Sequence, residues 1–171
     1  MNIQLPPDLQ RFLQHMPPDD DITLIVLKGH LLIEEKLEHI IGLIVAHSDR
    51  LNDLRLTFAQ KVALAQAMCW SKHESDMWDL IACVNSLRNE FAHQLESPKT
   101  QAKLNRLLEV LHASIERKEM RDWMAGLSEP QQLKYSIAFA LGFLGSYEGD
   151  AIGYRKTVDS IYGMLSGGND R

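Results

Sequence analysis

The sequence predicts an all-α fold, an antiparallel up-and-down helical bundle of about five to six helices. Three observations predict it. Apolar residues recur at helical spacing: Leu80, Val84, Leu87, Phe91 and Leu95 step by four, three, four and four. Helix-start signals punctuate the chain, with capping boxes at Thr57-Phe-Ala-Gln60 and Ser128-Glu-Pro-Gln131. No alternating strand pattern, internal repeat or low-complexity tract interrupts this.

The elements follow in order. Asp8–Met16 is a short amphipathic turn or helix closed by Pro17-Pro18. Asp19-Asp20-Asp21 then offers N-caps and negative charge to the first turn of a long helix running to about His47. The first half of that helix is apolar almost all round, so it belongs at the bundle centre. Residues 48–56 form a loop. The Thr57 box opens a helix to about Met68, and Ser75 or Asp76 caps one that ends near Glu96. Ser97-Pro98 starts the next, to about Lys118, with Leu104, Leu107, Leu108 and Leu111 inward. The Ser128 box, with proline in the first turn, opens a last helix to about Leu165, interrupted near Gly145–Gly149.

Length suits one domain over residues 1–165, followed by a polar tail at 166–171. A net charge of -5 argues against coating nucleic acid through a broad basic field, though a small basic site stays open. Cys69 and Cys83 suit buried helical positions in a reducing, cytoplasmic setting, with no disulfide. Met1–Gln14 lacks a signal-peptide pattern, and Ile137–Gly145 is too short to span a membrane.

The chemistry concentrates in Ser86–Leu95, where Arg88, Asn89 and His93 fall off the apolar face of an amphipathic helix. Asn89 and His93 are four apart, within reach of each other. An arginine can clamp a phosphate through two parallel hydrogen bonds. A histidine can move a proton near neutral pH. The set suits phosphodiester chemistry without a metal; the competing reading is a solvated helix face. Ile81, Ala82, Asn85 and Ala92, small or apolar, lie near the same polar side and suggest a groove or subunit contact.

Leu87-Arg-Asn-Glu-Phe-Ala-His93 resembles the Arg-x4-6-His signature of the HEPN superfamily, with Asn89 as the polar residue after the arginine. Upstream, Lys28-Gly-His-Leu-Leu-Ile-Glu-Glu35 and Leu56-Thr-Phe-x-x-Lys61-Val-x-Leu64-Ala65 are similar in layout to the branch containing the mannitol operon repressor. The resemblance covers about residues 22–96. It implies a dimer whose two signature helices build one composite endoribonuclease site, of the toxin–antitoxin or defence kind. His93 would be the acid/base, Arg88 the phosphate clamp and Asn89 the orienting group. The RNA's 2′-hydroxyl would attack, leaving a 2′,3′-cyclic phosphate. Implied partners are a second copy, RNA, and an antitoxin or regulatory protein; no cofactor is implied. Toxins silenced by a nucleotidyltransferase carry a tyrosine two residues after the histidine, where this chain has Leu95. The alternative is a non-catalytic dimeric regulator like the mannitol-repressor branch.

Other residues complete the candidate set. Lys28, His30 and Glu34 lie in the apolar central helix, where charged groups need partners. His30 and Glu34, four apart, form a structural pair or support the Arg/His site. Lys61 is a solvated lysine or a contact to RNA or a subunit. Lys99, Lys103 and Arg106 form a solvated face or a short phosphate track. No metal-ligand motif is present, and His73-Glu74 suits helix capping. Trp70, Trp78 and Trp123 suit core or interface anchors.

Overall fold

A computed structural model describes residues 5–51, 53–69, 76–93 and 97–166. The Ser75 cap, Trp70, His73-Glu74, the helix end at Leu95–Glu96 and the tail from 167 lie outside those residues. The described chain is a helical bundle of seven α-helices, one or two more than the pattern predicts: α1 (Pro7–His15), α2 (Ile22–Ile44), α3 (Phe58–Met68), α4 (Asp76–His93), α5 (Pro98–Ala113), α6 (Lys118–Ala125) and α7 (Glu129–Ser166). Among the described residues no helix is long and apolar enough to cross a membrane.

Local chemistry sets most helix starts. The Asp21 carboxylate accepts from Leu24 N–H at 2.9 Å and opens α2. Such a cap contributes about 1 kcal/mol. Thr57 and Gln60 close the reciprocal box that opens α3, and Ser128 and Gln131 do the same before α7. Ser97 caps α5 just ahead of Pro98.

Three boundaries depart from the sequence reading. The α5 helix stops at Ala113, and residues 118–125 form a separate helix that the pattern does not reveal. Arg121 explains the turn, donating to the Ile115 carbonyl at 3.1 and 2.7 Å and so satisfying an acceptor at the break. Residues 48–51 form a 3-10 turn inside the expected loop. The α7 helix runs unbroken through Gly145 and Gly149 for 38 residues. A helical glycine costs only about 0.5–1 kcal/mol relative to alanine. The apolar contacts of Leu144, Tyr147 and Ala151, all buried, hold the helix across them.

The α2 helix sits at the centre, with Ile25, Val26, Ile33, Leu37 and Ile40 all at 0% exposure in the core. Its wet stripe is not polar throughout, since Leu27 and Leu31 are exposed. Gly29–Ile137 and Lys36–Glu148 contacts rise together in number, so α2 and α7 run parallel. Trp78 meets Phe143 and Tyr147 edge-on, while Asn85 meets His30, so α4 runs antiparallel to both. A Cβ at Gly29 would lie 2.3 Å from Ile137 Cδ1, so the α2–α7 approach needs glycine there.

Lys36 fixes the surrounding helices. It is buried, and its ammonium donates to Asp8 at 2.6 Å and Glu148 at 2.5 Å, joining α1 and α7 to α2. Burial works against its charge, and those two hydrogen bonds outweigh it, raising its pKa above the usual lysine value. Cys69 and Cys83 are free and half-buried, and burial raises the Cys83 thiol pKa. Trp78 is a core residue, whereas Trp123 is 47% exposed, edge-on to Tyr135.

Gly29→Ala should lower stability by about 1–3 kcal/mol through overpacking, despite the better helix propensity of alanine. Urea unfolding measures this, and Gly29→Ala combined with Ile137→Ala should cost less than the sum of the two single substitutions. An unchanged midpoint would mean that α2 and α7 are not in close contact at this level.

Candidate functional site

The signature residues ride on α4, whose inner face is fixed by Leu80, Ile81, Val84 and Leu87, all at 0% exposure. Arg88 follows Val84 by one turn and is half-buried, turned further inward than its place off the apolar face suggests. Its Nη1 donates to Asn89 Oδ1 at 3.3 Å. Among the described residues it has no carboxylate partner. Asn89 is half-buried, and His93 is exposed in the last turn of α4. No hydrogen bond joins His93 to Arg88 or Asn89 among the described residues, so the expected four-residue contact is not made. Arg88 and His93 are five residues apart and therefore diverge by roughly 140° round the helix.

Beside Arg88 lies a polar cluster built from three helices. His30 on α2 is buried, and its Nε2 is 3.2 Å from Asn85 Oδ1 on α4. The bond puts the neutral ring's proton on Nε2, as donor to the amide oxygen. His30 also stacks on Phe58 of α3, with ring centroids 4.2 Å apart. Its Nδ1 is 3.8 Å from Glu34 Oε2, an electrostatic contact beyond hydrogen-bond reach. Burial lowers the His30 pKa; Asn85 and Glu34 oppose that, and the charges of Arg88 and Lys61 reinforce it.

Lys61 extends the cluster. It is buried, not solvated, and donates to Glu34 at 2.6 Å and Glu38 at 2.5 Å. Burial disfavours its charge, but the two glutamates prevail and raise its pKa. Glu34 and Glu38 are i,i+4 like charges on one face, which require a cation between them. That spacing is the signal by which Glu38 could have been found; the sequence reading missed it. His30, Glu34 and Lys61 are thus brought together next to Arg88.

Lys28 is not part of this group. It lies two residues before His30, roughly 200° round the helix, and no hydrogen bond or ion pair links it to the described residues of the cluster.

The expected subunit-facing set also divides. Ile81 is 0% exposed and belongs to the chain's own core, because it shares the inner face with Val84. Asn85 is engaged by His30. Ala82 and Ala92 are exposed.

The proposed basic track is mostly neutralised. Lys103 binds Glu90 and donates to the Ser86 carbonyl at 3.2 Å, and Arg106 pairs with Glu109 at 3.3 Å. Lys103 and Ser97 hold the Glu90 carboxyl below its ordinary range. Those bonds tie α4 to the start of α5 just beyond His93. Among the described residues no group of three or more His, Cys, Asp and Glu could hold a metal.

A groove of about 910 Å³ lies elsewhere, between the C-terminal half of α2 and the 48–56 connection. Glu38, His39, Leu54, Arg55 and Lys61 help line it; Arg88, Asn89 and His93 do not.

Comparison with protein-family models, curated proteins and solved structures gives no match for the chain.

The folded chain resists protonation of His30, whereas the unfolded chain does not. His30 therefore contributes stability above about pH 6.5, and this is lost as pH falls through its lowered folded value. The melting temperature of the wild type should drop more between neutral and mildly acidic pH than that of His30→Gln, which keeps a polar partner for Asn85. Parallel curves would show that the ring takes up its proton as readily in the fold as in the unfolded chain.

Proposed function

We propose that the chain is a HEPN-type, metal-independent endoribonuclease, acting as a toxin or defence effector at a site shared by two copies. The observation that carries this reading is the state of Arg88. It is half-buried and has no carboxylate partner among the described residues, and its charge helps to lower the pKa of the buried His30. A guanidinium in such surroundings has a deficit of negative charge, which a phosphodiester would supply in bidentate form.

The chemistry then needs no nucleophile from the protein. His93 of one copy takes the proton from the RNA 2′-hydroxyl, whose oxygen attacks the adjacent phosphorus. The P–O5′ bond breaks, and the departing 5′-oxygen takes a proton from the second copy's His93. The products are a 2′,3′-cyclic phosphate and a 5′-hydroxyl. Arg88 balances the charge on the phosphorane oxygens, and Asn89 orients the phosphate.

Two copies are required because Arg88 and His93 diverge round one helix, so a single chain does not close both on one phosphate. The α4 helix runs antiparallel to α2, so its course from Asn85 through Arg88 to Ala92 leads back along α2 toward Leu27. Leu27 is 36% exposed and Leu31 56%. With Ala82 and Ala92 they offer apolar surface to the second copy. An antitoxin or regulatory protein would act by covering the same side.

The alternative is a non-catalytic dimeric regulator, like the mannitol-repressor branch. One observation favours it: His93 is exposed with no bond to Arg88 or Asn89. The test is cleavage of a mixed RNA pool by the purified protein, with end-group analysis of the fragments. His93→Ala and Arg88→Ala should each reduce cleavage by about 100-fold or more at unchanged melting temperature. Induced wild type should arrest growth, and His93→Ala should not. If wild type is harmless, leaves RNA intact and behaves as His93→Ala does, the regulator reading replaces the enzyme.

A further inference from the structure

The apolar row of α7 steps four, three, four, three without a slip from Leu133 to Leu165. As far as Ala151 the bundle covers it: Leu133, Ile137 and Leu144 are 0% exposed and Ala151 3%. Beyond Ala151 the same row continues as Tyr154, Val158, Ile161 and Leu165. Exposure reaches 52% at Ile161 and 72% at Leu165, with Tyr162 at 69% and Met164 at 76% beside them.

The occupant of this face can be argued from its spacing and charge. Alternation of three and four averages 3.5 residues, the repeat that fits another helix rather than a flat surface. A helix lying on a membrane would carry lysines and arginines along its polar side. Here that side holds Gly149, Gly153, Ser160 and Gly163, with Lys156 as its cation, while Arg155 pairs with Asp159 at 3.2 Å. No charged residue occurs between Asp159 and Ser166. A complementary helix with the same repeat exists in every other copy of the chain.

We infer that residues 154–165 of α7 pair antiparallel with the same segment of a second copy. The direction follows from the bundle. Each chain's own helices occupy the apolar row up to Ala151, where the α7 of a parallel partner would have to pass. An antiparallel partner avoids them. Tyr154 then opposes Leu165 of the second copy, and Val158 opposes its Ile161. Arg155 comes beside Tyr162 of the second copy, a cation against an aromatic ring. The overlap is about 18 Å long and makes a small interface, so the association depends on concentration. This surface is separate from the signature helix and does not depend on the nuclease reading.

The test uses the full chain. Sedimentation velocity over a concentration series should show an association step that Ile161→Lys with Leu165→Lys weakens by about tenfold or more. Melting should not change, since both residues are exposed. Ala92→Arg, which disturbs the signature side, should leave this step in place. Mixing Val158→Cys with Ile161→Cys under mild oxidation should give a mixed disulfide that neither variant forms alone. Four results would overturn the inference: a monomer throughout, association indifferent to the two lysines, disulfides within each single variant as a parallel pair would give, or wild type that binds anionic vesicles in place of itself.

Discussion

A charged side chain on a buried helix must find a partner, and α2 meets that constraint in three directions at once. Lys36 reaches Asp8 on α1 and Glu148 on α7. Glu34 and Glu38 hold Lys61 on α3. His30 meets Asn85 on α4. Removing one member of such a group leaves its partners desolvated and unpaired, which costs more than the group contributes when intact. The polar residues of α2 therefore fix the orientation of its neighbours, while its leucines and isoleucines supply the cohesion. Between these directions, Gly29 removes a side chain where α7 must come close.

The candidate site inherits this arrangement. Val84 and Leu87 anchor the helix that holds Arg88 half-buried, without a carboxylate partner among the described residues, and burial lowers the pKa of the nearby His30. A protonated His30 would add a second positive charge next to the guanidinium. The stack on Phe58 and the bond to Asn85 keep the ring in the desolvated position that disfavours that charge. Lys61 has its charge balanced by two glutamates and so belongs to the scaffold more than to a substrate.

Helix starts were legible in the sequence because their chemistry is local. Thr57 with Gln60, Ser128 with Gln131, and Asp21 act within three residues. The inward faces of α4 and α5 followed from spacing, as at Leu80, Val84 and Leu104. What the sequence hid depends on partners further off. The end of α5 is stabilised by Arg121, which reaches back six residues to Ile115. The continuity of α7 through its glycines depends on the core beneath them. In the site, the nearness of His30 and Glu34 was readable at i,i+4, and the Arg88, Asn89 and His93 helix was placed correctly. The burial of Lys61 was not readable, because it depends on α3 crossing the Glu34/Glu38 face. The same applies to Ile81, where a rotation of α4 by a fraction of a turn decides between core and surface.

Ser97 bonds back to Glu90, and Lys103 grips the same carboxylate from the next helix. The histidine at position 93 lies less than one helical turn beyond that pinned carboxylate, at the end of α4. A residue held this way can swing about its own side-chain torsions while its backbone travels little. Any partner that engages the imidazole would therefore meet a nearly fixed anchor point, with little of the ordering entropy that a free chain end would demand.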